Sequence, residues 1–183
     1  MRLIGGAHRG RVLRFPDAPG LRPTPDRVRE TLFNWLGQDL GGAATLDLFA
    51  GTGALSLEAL SRGARLAVAV DRSKPLVAAL AASAGAMGVP GLEAHCADAF
   101  AWLARETRPF DVIFLDPPFA EDPWPQLLPR CVARMAPGGF LYAEAGRALA
   151  AVPGLLSHRQ GKAGQVHYHL FQRDDRQGNR VGP

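Results

Sequence analysis

The chain has 183 residues, 47% of them hydrophobic, which suits one domain with a real core. No apolar run approaches the roughly 18 residues of a membrane span, no secretory leader follows Met1-Arg2-Leu3, and Cys96 and Cys131 make neither a disulfide framework nor a metal-ligand spacing, so a cytoplasmic protein without a metal is expected. The net charge is +4, but residues 1–29 carry seven arginines against Asp17 and Asp26, a balance of +5; a basic arm on a near-neutral remainder predicts a polyanionic partner.

Residues 1–16 alternate weakly around Gly5-Gly6 and Gly10 and read as a short hairpin. Thr24-Pro25-Asp26 has the chemistry of a helix start, with Thr as N-cap and Pro at the first helical position. Val28, Leu32, Trp35 and Leu36 give that helix one apolar face. From Thr45 onward strand, turn and helix repeat. Strands are predicted over Thr45–Phe49, Leu66–Val70, Leu92–Cys96, Asp111–Leu115 and Phe140–Glu144. Helices are predicted over Ala54–Arg62, Pro75–Met87, Phe100–Arg105 and Trp124–Met135, with a turn at Pro137-Gly138-Gly139. Val166–Gln172 alternates like a further strand, and the last residues are expected to be disordered. Strands alternating with helices predict an α/β fold with a doubly wound, mostly parallel sheet.

Asp116-Pro117-Pro118-Phe119 follows the buried run Val112–Leu115. Neither proline offers an N–H, and both fix φ near about −65°. The turn is therefore stiff, and the Pro117 carbonyl is not committed to a helix. One carboxylate, one free carbonyl and a flat ring can grip a planar molecule by an exocyclic amine: two acceptors for two N–H groups, and a surface to stack on. A proline-rich turn closing a core strand is the competing reading of these four residues alone.

The first strand-to-helix junction reads Asp47-Leu48-Phe49-Ala50-Gly51-Thr52-Gly53. Two glycines allow a sharp turn and close approach of a ligand, but Ser56 stands where a dinucleotide fingerprint has its third glycine. That disfavours a pyrophosphate ligand, and with it a nicotinamide-dependent oxidoreductase. The second strand leads to Asp71, 18 residues after Gly53, where a carboxylate can accept both hydroxyls of a ribose. Asp98, after the third strand, is placed to meet an adenine amino group. The five histidines, His8, His95, His158, His167 and His169, have no evident catalytic partner.

The order Asp-x-Phe-Ala-Gly-x-Gly, Asp71, Asp98, Asp-Pro-Pro-Phe resembles the class I S-adenosylmethionine-dependent methyltransferases. Arg9-Gly10-Arg11, followed by the run from Leu21 to Leu36, resembles the RsmD family in particular, and the likeness extends from about residue 2 to 173. The resemblance implies a seven-stranded Rossmann-like sheet with its last strand antiparallel and a small N-terminal β-hairpin extension. It implies methyl transfer from S-adenosylmethionine to a guanine N2 of 16S ribosomal RNA in the small subunit. The expected cofactor residues are Asp47, Phe49, Ala50, Gly51, Gly53, Asp71, Arg72, Asp98, Ala99 and Thr31. The expected catalytic residues are Asp116, Pro117, Pro118 and Phe119, and the expected RNA contacts are Arg9, Arg11, Arg22 and Arg27. Residues 1–22 would then be an RNA-binding arm, 23–173 the catalytic domain and 174–183 a tail, with the protein acting as a monomer. Asp-Pro-Pro-aromatic also resembles the motif of adenine-N6 DNA methyltransferases, and an assembly factor that binds RNA without catalysis is a further alternative. Intact Gly51, Gly53, Asp71 and Asp116 speak against the latter.

Overall fold

The structure, a computed structural model, describes residues 1–16, 24–118 and 122–177. Its elements in chain order are α1 (Asp26–Trp35), β1 (Ala44–Asp47), α2 (Ala54–Ser61), β2 (Leu66–Asp71), α3 (Lys74–Met87) and β3 (Leu92–Cys96). They continue with α4 (Ala99–Leu103), β4 (Phe110–Leu115), α5 (Trp124–Val132), β5 (Met135–Ala145), β6 (Leu155–Ala163) and β7 (Val166–Arg173). The strands form one seven-stranded sheet in the order β3-β2-β1-β4-β5-β7-β6. β1 to β5 pair in parallel, and β7 lies antiparallel to both β5 and β6. This is the doubly wound, mostly parallel sheet that the alternating pattern predicts. Sequence order reverses between β1 and β4, the switch point where such sheets bind ligands beyond the strand C-termini.

β1 is buried at every position and β4 at all but one, so both strands read as nearly unbroken apolar runs. One face packs against α1, α2 and α3 through Val28, Leu32, Phe33, Leu57 and Leu80, joined by Leu3 and Leu13 of the N-terminal segment. The other packs against α4 and α5 through Leu103, Trp124, Leu127 and Cys131. The N-terminal hairpin is thinner than a ladder: a single antiparallel bridge joins Arg2 to Val12. Flanking hydrogen bonds run from Leu3 N–H to the Arg11 carbonyl (2.9 Å) and from Leu13 N–H to the Met1 carbonyl (2.7 Å).

Three local expectations are corrected. Pro25, not Thr24, precedes the first turn of α1, and no side-chain hydrogen bond caps that end; Thr24 is buried instead, where its hydroxyl favours the charged form of Glu144 on β5. β5 begins at Met135 and carries Pro137-Gly138-Gly139 within it, as an irregularity in its pairing with β4 rather than a turn before it; α5 accordingly ends at Val132. β6 has no counterpart among the strands read from the pattern. Its Leu-Leu-Ser-His-Arg-Gln-Gly-Lys-Ala is polar and poor in β-branched residues, since it is an edge strand with solvent along most of its length.

Candidate active site

The site is built on the C-terminal ends of β1, β2, β3 and β4. At the end of β1, Asp47 is buried and accepts a hydrogen bond from the Ser56 hydroxyl of α2 (3.1 Å). The chain then turns through Phe49 and Ala50, whose N–H bonds the Val70 carbonyl of β2 (3.0 Å). Gly51 N–H donates to Asp71 Oδ2 (2.8 Å), and Ser73 N–H donates to Asp71 Oδ1 (2.8 Å). One carboxylate thus braces the glycine turn and the loop after β2 together. Each of its oxygens keeps a second lone pair, enough for two more donors. Gly53 enters α2 with φ +75°, and a Cβ there would stand 2.2 Å from Leu80 Cδ1, so the turn tolerates no side chain. Asp98 caps α4 by accepting from Ala101 N–H (3.0 Å) and lies 3.6 Å from Arg72 Nε. Ala99 faces the core, so it can offer a ligand only its backbone.

Across the switch point, Asp116 follows β4 directly. Pairing of Asp47 with Phe114 and of Leu115 with Ala143 puts Asp47, Asp116 and Glu144 at the same edge of three neighbouring strands. Asp116 keeps part of its surface open, but its carboxyl is enclosed. Burial, then the nearby Glu144 and Asp47, push its pKa well above the usual carboxylate range. Burial pushes Asp47 up to about 7, against the Ser56 hydrogen bond, with Asp71 and Glu144 adding to the rise. Glu144 is raised by burial too, while the Tyr142 and Thr24 hydroxyls favour its charged form. The Tyr142 hydroxyl donates to Glu144 Oε1 at 2.8 Å. Among the described residues no Arg or Lys forms an ion pair with these three acids. Such a row is suited to a ligand that brings positive charge or N–H donors. Pro117 is buried, Pro118 is exposed, and Phe119 lies outside the described residues.

Ser56, Thr24, Tyr142 and Glu144 are functional neighbours that sequence reasoning missed. A signal existed for two of them: Tyr142 and Glu144 stand two apart in the otherwise apolar Phe140–Ala145, so they share one face of a strand.

The basic residues divide. Arg29 is fully buried, with its guanidinium 3.6 Å from Glu58 Oε2 of α2 and donating to the Arg2 carbonyl (2.9 Å). It is therefore a structural member of the N-terminal charge count. Arg62 completes the cluster on Glu58 (2.9 Å), and Ile4 N–H donates to the same carboxylate (3.0 Å). Arg9, Arg11 and Arg27 are exposed, and Arg22 lies outside the described residues. The hairpin runs along α2: Met1 Sδ is 4.0 Å from Thr52 Oγ1 at the glycine turn, whereas His8 N–H bonds Ser61 Oγ at the far end of the helix (3.0 Å). Arg9 therefore sits about 12 Å along the helix axis from that turn. The Thr31 hydroxyl donates to the Arg27 carbonyl one turn back (2.9 Å), and no hydrogen bond joins it to the glycine turn.

The family described as "Conserved hypothetical protein 95" matches residues 1–172. Ribosomal RNA small subunit methyltransferase D of Escherichia coli K12 is 40% identical over 183 residues, covering 95% of this chain and 90% of that protein. A solved structure of the putative methyltransferase yhhF from Escherichia coli superposes with a TM-score of 0.84 at 39% identity, covering 95% of this chain and 98% of that one. At 19% identity and a TM-score of 0.63, a putative methyltransferase (SMU.776) complexed with SAH shares the fold, over 80% of this chain and 48% of that one. The chain belongs to the family of ribosomal RNA small subunit methyltransferase D, and is itself a methyltransferase.

Proposed function

We propose that this protein transfers a methyl group from S-adenosylmethionine to the exocyclic N2 amine of a guanine in 16S ribosomal RNA of the small subunit. The observation that carries the reading is the placement of Asp116: enclosed at the switch point, one strand from the glycine turn, with no Arg or Lys paired to it among the described residues. S-Adenosylmethionine supplies a methyl group already activated by its sulfonium, so the protein has to aim a weak nucleophile rather than make a strong one. Asp71 fits the ribose hydroxyls and Asp98 the adenine amine. The backbone from Phe49 to Gly53 makes room for the donor, and Asp47 at the end of β1 suits its positive charge. Arg72 and Ala99 flank the adenine side, the latter through its N–H.

Asp116 and the Pro117 carbonyl accept the two N–H bonds of the amine and turn its lone pair toward the methyl group. Alignment of this kind supplies up to about 7–11 kcal/mol in the best intramolecular cases. As the nitrogen–carbon bond forms and the carbon–sulfur bond breaks, positive charge grows on nitrogen beside the Asp116 carboxylate, which stabilises it. The surplus proton then leaves to Asp116 or water. Phe119 stacks on the target base, which must be unstacked from its neighbours to present this edge.

Residues 1–22 act as the RNA arm of the catalytic domain over 23–173, with Arg9, Arg11, Arg22 and Arg27 on phosphates. The 12 Å offset of Arg9 gives it a flanking phosphate rather than that of the target nucleotide. The α1 segment, with Thr31, closes the methionine side of the site. Among the described residues no helix is long and apolar enough to cross a membrane, and we place the protein in the cytoplasm as a monomer. The test offers labelled S-adenosylmethionine with unmodified small subunits, naked 16S RNA and DNA. N2-methylguanine in the RNA supports the reading. N6-methyladenine in DNA overturns the substrate, and transfer to none of the three overturns the reaction.

A further inference from the structure

The charge of this chain is concentrated at both ends rather than one. Residues 145–173 contain Arg147, Arg159, Lys162 and Arg173 and no Asp or Glu. Residues 30–144 carry eight Lys and Arg against thirteen Asp and Glu, a net −5 that hides this second basic segment in the average. Two of the four cations have partners: Arg147 bonds Asp122 (3.0 Å), and Arg173 lies 3.3 Å from Asp175. Arg159 and Lys162 are exposed on β6 and form no ion pair among the described residues.

Topology decides where they stand. β7 is antiparallel to β5, and β6 is antiparallel to β7, so β6 runs in the direction of β1 to β5. Its C-terminal end therefore lies at the same edge as Asp47 and Asp116. Register makes the placement specific: Glu144 pairs with Tyr168, which pairs with Gly161, and Ala145 pairs with His167, which pairs with Lys162. Three strand spacings separate β4 from β6, so Lys162 stands about 14 Å from Asp116 along the edge. This end is held firmly. The Tyr168 ring lies so close over Gly161 that a Cβ there would be 2.4 Å from its Cζ, and it packs against Trp35 of α1 at 5.5 Å between ring centroids. The N-terminal hairpin, by contrast, rests on α2, which covers β1, β2 and β3 on the other side of the switch point.

We infer that the exposed edge strand β6, with Lys162 at its C-terminal end and Arg159 three residues back on its other face, is a second phosphate-binding surface for the RNA, on the opposite flank of the catalytic edge from the N-terminal hairpin. The inference rests on the proposed action on ribosomal RNA and adds to it a geometry. Phosphates are held on both sides of the target nucleotide, which lets a single base be drawn out between two fixed points. Neither residue touches the cofactor side, so both can be changed without altering the chemistry.

The test compares wild type with Arg159→Gln/Lys162→Gln and Arg159→Glu/Lys162→Glu, using the substrate found for the wild type and S-adenosylmethionine binding as the control for folding. The neutral double variant should raise KM for RNA by about tenfold near 0.15 M salt and leave kcat close to unchanged. It should also lower the slope of log affinity against log salt by about 1.4–1.8, the loss of two phosphate contacts. The charge-reversed variant should be weaker still. If wild type methylates RNA and both variants keep its KM and salt slope, this inference fails alone. If wild type neither binds nor methylates RNA, the proposed function fails and the inference goes with it.

Discussion

Glu58 and Glu144 are both buried glutamates on the same side of the sheet, but their neighbours differ in kind. Glu58 sits between Arg29 and Arg62 and accepts a backbone N–H from Ile4, so its charge is answered within the fold. Glu144 meets two hydroxyls, and the groups beyond it, Asp116 and Asp47, are acids too. The first cluster answers acid with base, although Arg29 Nε and Nη1 have no hydrogen-bond partner among the described residues, and it ties hairpin, α1 and α2 together. The second sits at the switch point with acceptors in excess of donors, an arrangement that favours folding only while protons remain on it. A buried charge already paired marks scaffold, whereas buried acids that have no cation among the described residues mark the place where a ligand completes the arrangement.

The largest effect should come from breaking the paired cluster. Glu58→Ala leaves the buried Arg62 guanidinium without a carboxylate and Arg29 with only the exposed Asp26, a change of about 3–5 kcal/mol in unfolding free energy by guanidinium denaturation. Because Ile4 also loses its acceptor, protease cleavage after Arg9 or Arg11 should accelerate. A loss under about 1 kcal/mol with unchanged cleavage would show that Leu3, Leu13 and the hydrogen bonds to Ser61 hold the hairpin without Glu58.

The acid cluster makes an opposite prediction through pH. Asp47 is raised to about 7 from the usual 3.8, so the native chain holds a proton that the unfolded chain has already released. Its contribution is complete below about pH 3.8 and is lost as pH rises through about 7, a change on the order of 4 kcal/mol for this site alone. Asp47→Asn should flatten that decline between pH 4.5 and 7. Glu106 works in the other direction and at lower pH. Its carboxyl is held down to about 2, first by the Arg108 side chain and then by backbone N–H groups, so its stabilisation is lost as pH falls through about 2. Stability that rises steadily from pH 4.5 to 7 in wild type would contradict the assignment for Asp47.

Next in size is the chemistry. Asp116→Ala should lower kcat by about 10²–10³, the scale of losing one charge-stabilising group from a reaction centre. S-Adenosylmethionine affinity should stay within about twofold. Collapse of cofactor binding instead would mean that the two halves of the site are not separable.

The sequence made the catalytic half of this comparison legible and left the scaffold half hidden. Asp47 and Asp71 end their strands, and Asp98 and Asp116 follow theirs within two residues, so the strand pattern and the aspartates announce one another. Gly53 could be picked out because a left-handed turn between strand and helix leaves few alternatives. Arg29 shares the face of Leu32 and Phe33, three and four positions on, whereas Arg27 does not; that a charge on that face is buried rather than turned outward depends on Glu58, 29 positions downstream. β6 stayed hidden for a related reason. An edge strand with solvent along it has no apolar alternation to reveal, and only its pairing with β7 makes it a strand.

The smallest change expected is also the most direct probe of the acid row. Glu144→Gln keeps a carbonyl oxygen for the Tyr142 hydroxyl, so packing and the 2.8 Å hydrogen bond can persist while the charge is removed. Asp116 must be ionised to stabilise the positive charge that grows on the amine nitrogen, so activity should rise with pH through its titration. Burial is the first cause of its raised pKa, and the Glu144 charge is the second. Removing that charge leaves the first cause in place, so the activity midpoint should move to lower pH without reaching the ordinary carboxylate range. The pH profile of kcat/KM for wild type and variant reads this directly. A midpoint that stays put means that Glu144 is already neutral when Asp116 ionises, and that the row shares fewer charges than its three carboxyl groups suggest.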